Sequence, residues 1–415
     1  MSSVRANDTD RVWEPLQIGS ITLRNAFIKA ATNENMSKKG VPTQAMVAHH
    51  RELAEGGVGM STMAYLAVEK TGRTLADQIW LRAEILPDLK AVTDAVHQVG
   101  GKIAAQITHG GSFVTGTFVP SPLKSASSGL NAAGLLCGNV FRRAMTARDM
   151  DEMVARFVEG AELCVEAGFD AVEIHMGHGY LLNQFISPLD NRRTDEYGGG
   201  PENRVRFPAR VLRAVKDAVG DRIGVLAKIN VDDGRSRGAH VDDAIVTARA
   251  LEEAGADMLV LSGGRNVESN WFTFGSSMNL EAMMSVIGKW TLTGIAVAST
   301  ARTAPKVAFR ELYFWEYSVK IREAVSLPLA YIGGVKSMAN VAQIMAGGFE
   351  AVVMGRALLR EPDLISRWQR APDRPSQCDS CNSCLAYIYH PAGTWCIHRP
   401  ANELAKNLIP ASQSV

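Results

Sequence analysis

Gly168-Phe169-Asp170-Ala171-Val172-Glu173-Ile174-His175 reads as a helix stop followed by a buried strand. Gly168 suits the left-handed residue that closes a helix, and the run behind it is short and largely apolar. The pattern returns three times, as Gly56-Gly57-Val58-Gly59-Met60-Ser61-Thr62-Met63, as Gly255-Ala256-Asp257-Met258-Leu259-Val260-Leu261-Ser262, and as Gly348-Phe349-Glu350-Ala351-Val352-Val353-Met354-Gly355. Four more apolar runs lie between the copies, at 27–31, 102–107, 224–229 and 327–332. Upstream of Gly168, Met153, Val154, Phe157, Val158 and Ala161 repeat at three and four, a helical stripe over 149–167. Residues 202–219 and 241–254 are also amphipathic. Eight strand–helix units in about 350 residues predict an α/β fold, a (β/α)8 TIM barrel. An open doubly wound sheet is disfavoured, because the first strand carries no Gly-x-Gly-x-x-Gly turn.

Two connections exceed ordinary barrel loops: 108–147 after the third strand and 263–309 after the sixth. Both follow strands, so both belong to the C-terminal face, where barrel active sites form. Residues 1–373 are therefore read as the barrel and 374–415 as a cysteine-rich extension. Four of the six cysteines, Cys378, Cys381, Cys384 and Cys396, fall in that extension, apart from Cys137 and Cys164. Such clustering without a secretion signal points to metal or redox use rather than a disulfide scaffold.

The 415 residues carry 44 Lys and Arg against 43 Asp and Glu, a net charge of +1. That balance makes no electrostatic case for nucleic acid or an anionic membrane surface. A hydrophobic share of 46% is ample for a large core. No apolar run approaches the ~20 residues of a membrane span, and residues 1–10 lack the apolar stretch of a secretion signal. The expectation is a cytoplasmic enzyme of small-molecule substrates, with the oligomeric state, a homo-oligomer included, left open.

The chemistry concentrates at the end of the fourth strand. His175 closes it, and His178 and Tyr180 stand just past it. Two imidazoles can donate hydrogen bonds to a carbonyl oxygen, and a phenol can supply a proton. The seventh strand ends in Gly333-Gly334 and the eighth in Gly355-Arg356. Glycine amides, helix starts and an arginine fork suit a phosphate. That signal alone would also serve a phosphosugar lyase, for which Lys228 is the only strand-end Schiff-base candidate. Lys228 sits in so apolar a strand that it needs an anionic partner.

The segment from His175 runs on as Gly177-His178-Gly179-Tyr180-Leu181-Leu182-Asn183-Gln184-Phe185-Ile186-Ser187-Pro188 and then Asn191-Arg192-Arg193-Thr194-Asp195-Glu196-Tyr197-Gly198-Gly199. It closely resembles the old yellow enzyme superfamily of FMN-dependent ene-reductases, with landmarks from about Pro15 to Trp368. The resemblance implies FMN over the barrel mouth and NAD(P)H as a transient hydride donor. It implies that His175 and His178 hold the substrate carbonyl and that Tyr180 protonates the α-carbon. It places Ala30, Ala31 and Thr32 near the flavin edge, with Ala64 after the second strand. Gln106 would bond the pyrimidine side of the ring, and Lys228 would sit beside its N1/O2 edge. Gly333, Gly334, Gly355 and Arg356 would hold the phosphate. The run 191–199 is read as a structural turn, and Ser262-Gly263-Gly264-Arg265 as pocket lining.

The C-x2-C-x2-C-x11-C spacing of Cys378, Cys381, Cys384 and Cys396 suits a [4Fe–4S] cluster or zinc, with unligated thiols as the third outcome. It is similar to the cluster-binding run of 2,4-dienoyl-CoA reductase and trimethylamine dehydrogenase, where asparagine follows the second cysteine as Asn382 does here. Those enzymes continue into nucleotide-binding domains, whereas 19 residues follow Cys396. Transfer of electrons to a partner protein is therefore left open. So is a relative that oxidises or demethylates amines, with Trp271, Phe272 and Phe274 as cage candidates.

Overall fold

The computed structural model describes residues 10–400, apart from 115–117, 132–133, 135–137, 289–290 and 391–392. Cys137, the first nine residues of the N-terminal reading and the end of the extension, 401–415, lie outside the described residues.

The eight expected strands form a closed parallel barrel, a (β/α)8 TIM barrel. In chain order they are β1 (Phe27–Lys29), β2 (Met60–Ala67), β3 (Lys102–Thr108), β4 (Ala171–Met176), β5 (Gly224–Asn230), β6 (Met258–Ser262), β7 (Leu329–Ile332) and β8 (Ala351–Met354). β8 pairs back onto β1 through Val352 and Phe27, which closes the ring. An antiparallel hairpin, Leu16–Ile18 with Ile21–Leu23, covers the N-terminal end. Its Ile18, Ile21 and Leu23 join Ile28, Met60, Leu226, Met258 and Val353 in the inner apolar cluster.

Strand alternation explains where the polar residues fall. In β4, Ala171 belongs to the inner cluster, while Val172, Ile174 and Met176 pack outward in the larger cluster beneath the helices. With a period of two, Glu173 and His175 point inward with Ala171. The same count sends Leu226, Lys228 and Asn230 of β5 inward, and Ala104 and Gln106 of β3. The apolar layer thus occupies the lower barrel, and the polar inward positions gather at the C-terminal end.

The outer helices include α1 (Gln44–Glu55), α2 (Leu86–His97), α3 (Ala147–Glu166), α4 (Pro201–Val219), α5 (Val241–Glu253), α6 (Trp315–Arg322) and α7 (Met338–Ala346). Thr146 and Asp149 form a reciprocal capping box at the start of α3, and Ser337 with Asn340 forms another at α7.

One local reading needs correction, and the two long connections, which lie where the sequence put them, carry structure of their own. Ala64 does not follow β2 but lies within it, because an irregularity of register between Met63 and Leu66 lets the strand run on to Ala67. The connection 108–147 carries its own three-stranded sheet, Leu123–Ser125, Phe141–Ala144 and Gly129–Leu130. The connection 263–309 is largely helical, with Asn270–Thr273, Leu280–Ile287 and Leu292–Thr303.

The extension is docked on the barrel. Its 3-10 segment Ser383–Tyr389 lies against the helix Leu280–Ile287, and the Asn279 amide donates to Ser383 Oγ at 2.9 Å. Farther on, the Thr394 N–H donates to the Glu34 carbonyl at 2.7 Å, and Asn35 Nδ2 donates to the His390 carbonyl at 3.1 Å. The tail therefore returns to the loop after β1.

Candidate active site

The turn after β4 is built to gather three rings. His178 and Gly179 both take positive φ, 60° and 86°. A Cβ on Gly177 would lie 2.6 Å from Asn230 Oδ1, so only glycine lets β5 come this close. That oxygen accepts the His178 N–H at 3.1 Å, and Asn183 Oδ1 accepts the Gly179 N–H at 2.8 Å. The rings of His175 and His178 meet edge to face at 5.0 Å, and those of His175 and Tyr180 at 4.6 Å. His175, His178 and Tyr180 are thus brought together as the sequence implied.

Both imidazoles are neutral. Burial, and then His178 and Lys228 nearby, hold His175 well below the ordinary histidine value. Burial, with Lys228, depresses His178 to about 3. His175 Nδ1 accepts the Gly177 N–H at 3.3 Å, which assigns its proton to Nε2. His178 Nε2 lies 2.8 Å from Ser262 Oγ, a contact that either atom can donate; with the hydroxyl as donor the ring proton is on Nδ1. Each ring then has one N–H to offer a ligand.

Tyr180 is an acid held in its protonated form. Burial and the adjacent Tyr65 raise it well above the usual phenol value. Its hydroxyl donates to Tyr65 Oη at 2.9 Å and accepts from Asn266 Nδ2 at 2.8 Å. Tyr65 Oη in turn lies 3.1 Å from Thr74 Oγ1. Neither Tyr65 nor Asn266 stood out in the sequence, since one lies within a strand and the other in a long connection.

Below these rings sits a second polar layer. Gln106 Nε2 and Lys228 Nζ both donate to Glu173 Oε1, at 2.6 and 2.8 Å. Glu173 is the anionic partner Lys228 required. It is inward-facing by the same alternation that exposes His175 to the mouth, and that signal could have found it. Lys228 is consequently half of a buried ion pair rather than a free cation. A second buried pair joins Lys29 at the end of β1 to Glu34 in the loop that follows, and Glu34 Oε2 also accepts the Ala64 N–H of β2 at 2.8 Å.

The proposed flavin edge fits a ligand. Thr32 Oγ1 is buried without a partner in the chain, and a buried hydroxyl left so is unusual. Beside it, Gly355 places no side chain against Thr32 and Ala30. The phosphate positions are more committed. A Cβ on Gly333 would meet Phe314 at 2.9 Å, and one on Gly334 the Leu312 nitrogen at 2.8 Å. Packing of 310–314 thus requires both glycines in any case. Arg356 donates to the Phe274 carbonyl at 2.7 Å and to Asn382 of the extension. Its guanidinium keeps further N–H groups, but it also ties the barrel to the cysteine tail.

Cys378, Cys381, Cys384 and Cys396 line one small void with Arg356 and Asn382. Four thiols around a single void are a donor set for a soft metal or an iron–sulfur cluster. Asn382 binds the tail down: its amide donates to Ser276 Oγ at 2.9 Å and to the Ser277 carbonyl at 3.0 Å. Asp379 and His398 line the same void and bring ligand atoms close to Cys381, two residues that the cysteine spacing did not single out.

The aromatic cage does not assemble. Phe272 packs on Phe314 and Tyr317, at 5.3 and 5.5 Å, as part of the loop's own core. Among the described residues no ring contact joins Trp271 or Phe274 to it. In the run 191–199, Asn191 and Arg193 anchor the turn: Asn191 Nδ2 donates to the Phe185 and Tyr197 carbonyls, and Arg193 to those of Ala126 and Met145, while Arg192 faces a cavity.

The barrel and its paired histidines with a buried tyrosine define a flavin-dependent oxidoreductase. The model of the NADH:flavin oxidoreductase / NADH oxidase family matches residues 11–273, and the chain belongs to that family. FMN and NAD(P)H are its cofactor and electron donor. A model of dihydrouridine synthases also matches 202–390, less than half the chain. The chain is 36% identical to the 4,4'-dithiodibutanoate disulfide reductase of Rhodococcus erythropolis, over 95% of this chain and 96% of that one. It spans about half the length of some of the other curated relatives, such as the metal reductase of Desulforamulus reducens, 27% identical over 97% of this chain and 56% of that one. The fold matches 2-naphthoyl-CoA reductase with a TM-score of 0.80 at 21% identity, covering 96% of this chain and 58% of that one. No helix among the described residues is long and apolar enough to cross a membrane.

Proposed function

We propose that the protein reduces an activated C=C bond, in an enone, enoate or enoyl thioester, at the expense of NAD(P)H. When bound, FMN would carry hydride from the nucleotide to the substrate's β-carbon. The chain's own residues supply the rest. Nε2–H of His175 and Nδ1–H of His178 donate to the substrate carbonyl and stabilise the negative charge that gathers on its oxygen. Tyr180 gives its proton to the α-carbon. The phenolate left behind keeps the Asn266 donor, and the Tyr65 hydroxyl, no longer accepting, turns to donate. Thr32, Gln106, Lys228, Gly333, Gly334, Gly355 and Arg356, with Ala30, Ala31 and Ala64 as small neighbours, would hold the flavin. Cys378, Cys381, Cys384 and Cys396 would hold a [4Fe–4S] cluster or zinc.

The observation that carries this reading is the cluster at one strand end in which the neutral His175 ring touches both the neutral His178 ring and the buried, protonated Tyr180 phenol. The unassembled cage weighs against amine oxidation. Similarity to a disulfide reductase over nearly the whole of both chains favours a disulfide as a second acceptor. The test is direct: heat-denatured protein releases FMN, and the NAD(P)H-reduced enzyme is reoxidised anaerobically by an enone. Absence of FMN after attempted loading, or reoxidation by disulfides alone, overturns the C=C assignment.

A further inference from the structure

A cavity of about 260 Å³ opens beside the paired histidines, walled in part by His178 and Gly179. Phe113 also lines it and touches the Tyr180 ring at 5.3 Å, so the cavity continues the catalytic mouth. Its charge is unusual for a chain whose net charge is +1. Arg142, Arg192, Arg235 and Arg265 face it, against two carboxylates, Asp190 and Glu268. Both carboxylates are ion-paired, although Asp190 Oδ2 accepts no hydrogen bond. Arg265 pairs with Asp190 at 2.7 Å and with Glu268 at 3.2 Å, and Arg142 also pairs with Asp190. Two positive charges are left over, and Arg192 and Arg235 have no side-chain partner among the described residues. Deeper in, Nε of Arg142 and Nε of Arg265 are buried donors with nothing to bind, although Arg265 is only 3% exposed. Those two atoms are shielded from the cavity itself, so the donors open to it are the guanidinium groups of Arg192 and Arg235, and unpaired guanidinium groups lining a cavity favour an anion. Phe113, Leu130 and Leu189 supply apolar wall between the histidines and the arginines.

We propose that this cavity is a carboxylate subsite, and that the preferred substrate is a short-chain acid whose carboxylate meets the arginines while its carbonyl meets His175 and His178. This rests on the C=C-reductase reading for the identity of the reacting end only. A planar carboxylate matches the guanidinium fork, and the apolar wall suits a few methylene groups. The volume falls below the range of pockets for drug-sized ligands, which favours a short acid over a nucleotide-bearing thioester.

The test separates binding from turnover. Calorimetry on the FMN-loaded protein compares 6-oxoheptanoate, which holds no C=C bond, with its methyl ester. The acid is expected to bind at least about tenfold more tightly than the ester, and Arg192→Gln with Arg235→Gln to remove most of that difference. Arg237→Gln, on the same turn but outside the cavity wall, is the control. Equal binding of acid and ester, or an unchanged preference in the double variant, overturns the subsite. So does a loss that falls instead on the KM for NADPH relative to NADH, which would assign the arginines to the nucleotide's extra phosphate. Turnover of 6-oxo-4-heptenoate is measured in parallel. If the acid binds through the arginines but this enone is not reduced, the reductase reading fails and the subsite stands.

Discussion

Tyr180 combines a proton to give with a pocket that prevents its loss to solvent. Its hydroxyl is fixed from two sides, by Tyr65 and Asn266, and burial keeps it protonated at neutral pH. Tyr180→Phe is expected to slow reoxidation of the reduced enzyme by an enone about 10²- to 10⁴-fold, the usual range for a lost general acid. Reduction of the flavin by NAD(P)H should be nearly unchanged, and stopped-flow measurement of the two half-reactions separates them. Equal damage to both would remove Tyr180 from the proton-donor role. At the same scale, Lys228 and Glu173 are both nearly inaccessible to solvent and depend on each other. Lys228→Met leaves a buried carboxylate unmatched and should cost about 3–5 kcal/mol in urea unfolding. Adding Glu173→Gln should recover part of that loss, because no uncompensated charge then remains. If the double variant is no better than the single one, the pair is not the source of the cost.

Among the elements, the docked extension and the turn after β4 matter most. The tail reaches the barrel through Asn382, which bridges Arg356 to Ser276 and Ser277, and so joins the eighth strand end to the loop after the sixth. Its four thiols share one void beside Arg356. Metal analysis of Cys378→Ser should show iron or zinc falling well below the parent level. Metal content equal to the parent's would refute ligation. The alternation of β3, β4 and β5 was legible directly, because apolar residues mark the outer face and the polar exceptions must point in. The extension of β2 past Met63 was not, since a register irregularity is a property of the strand pair rather than of either sequence. The aromatic cage failed for a similar reason. The apolar area that singled out Phe272 is used against Phe314 and Tyr317.

For the molecule as a whole, four buried histidines set a pH dependence of stability. Burial holds His49, His50, His175 and His178 below their ordinary value of 6.5, and His178 at about 3. Unfolding frees them to take up protons at the ordinary value. The unfolded state therefore binds more protons between about pH 3 and 6.5, and stability falls as pH drops through that window. The urea midpoint should be lower at about pH 5.5 than at about pH 7.5, with a slope that reports proton uptake on unfolding. A midpoint that does not change between those values would mean the histidines are not buried neutral.

The sequence alone determined the eight-stranded barrel, because periodicity is local: strands and helices announce themselves within a dozen residues. It also determined that His175, His178 and Tyr180 stand at one strand end, and that four cysteines cluster behind the barrel. Only the tertiary structure decided what these groups face. Glu173 became the partner of both Gln106 and Lys228, Tyr65 came from 115 residues away to hold Tyr180, and Asn382 returned to Arg356. The physical reason is that barrel closure sets neighbours by strand register and loop packing, which bring together residues with no sequence relation. The arginine-lined cavity belongs to the same class. Its charges come from separate connections and cancel within the composition, and they concentrate only when the loops meet at the mouth.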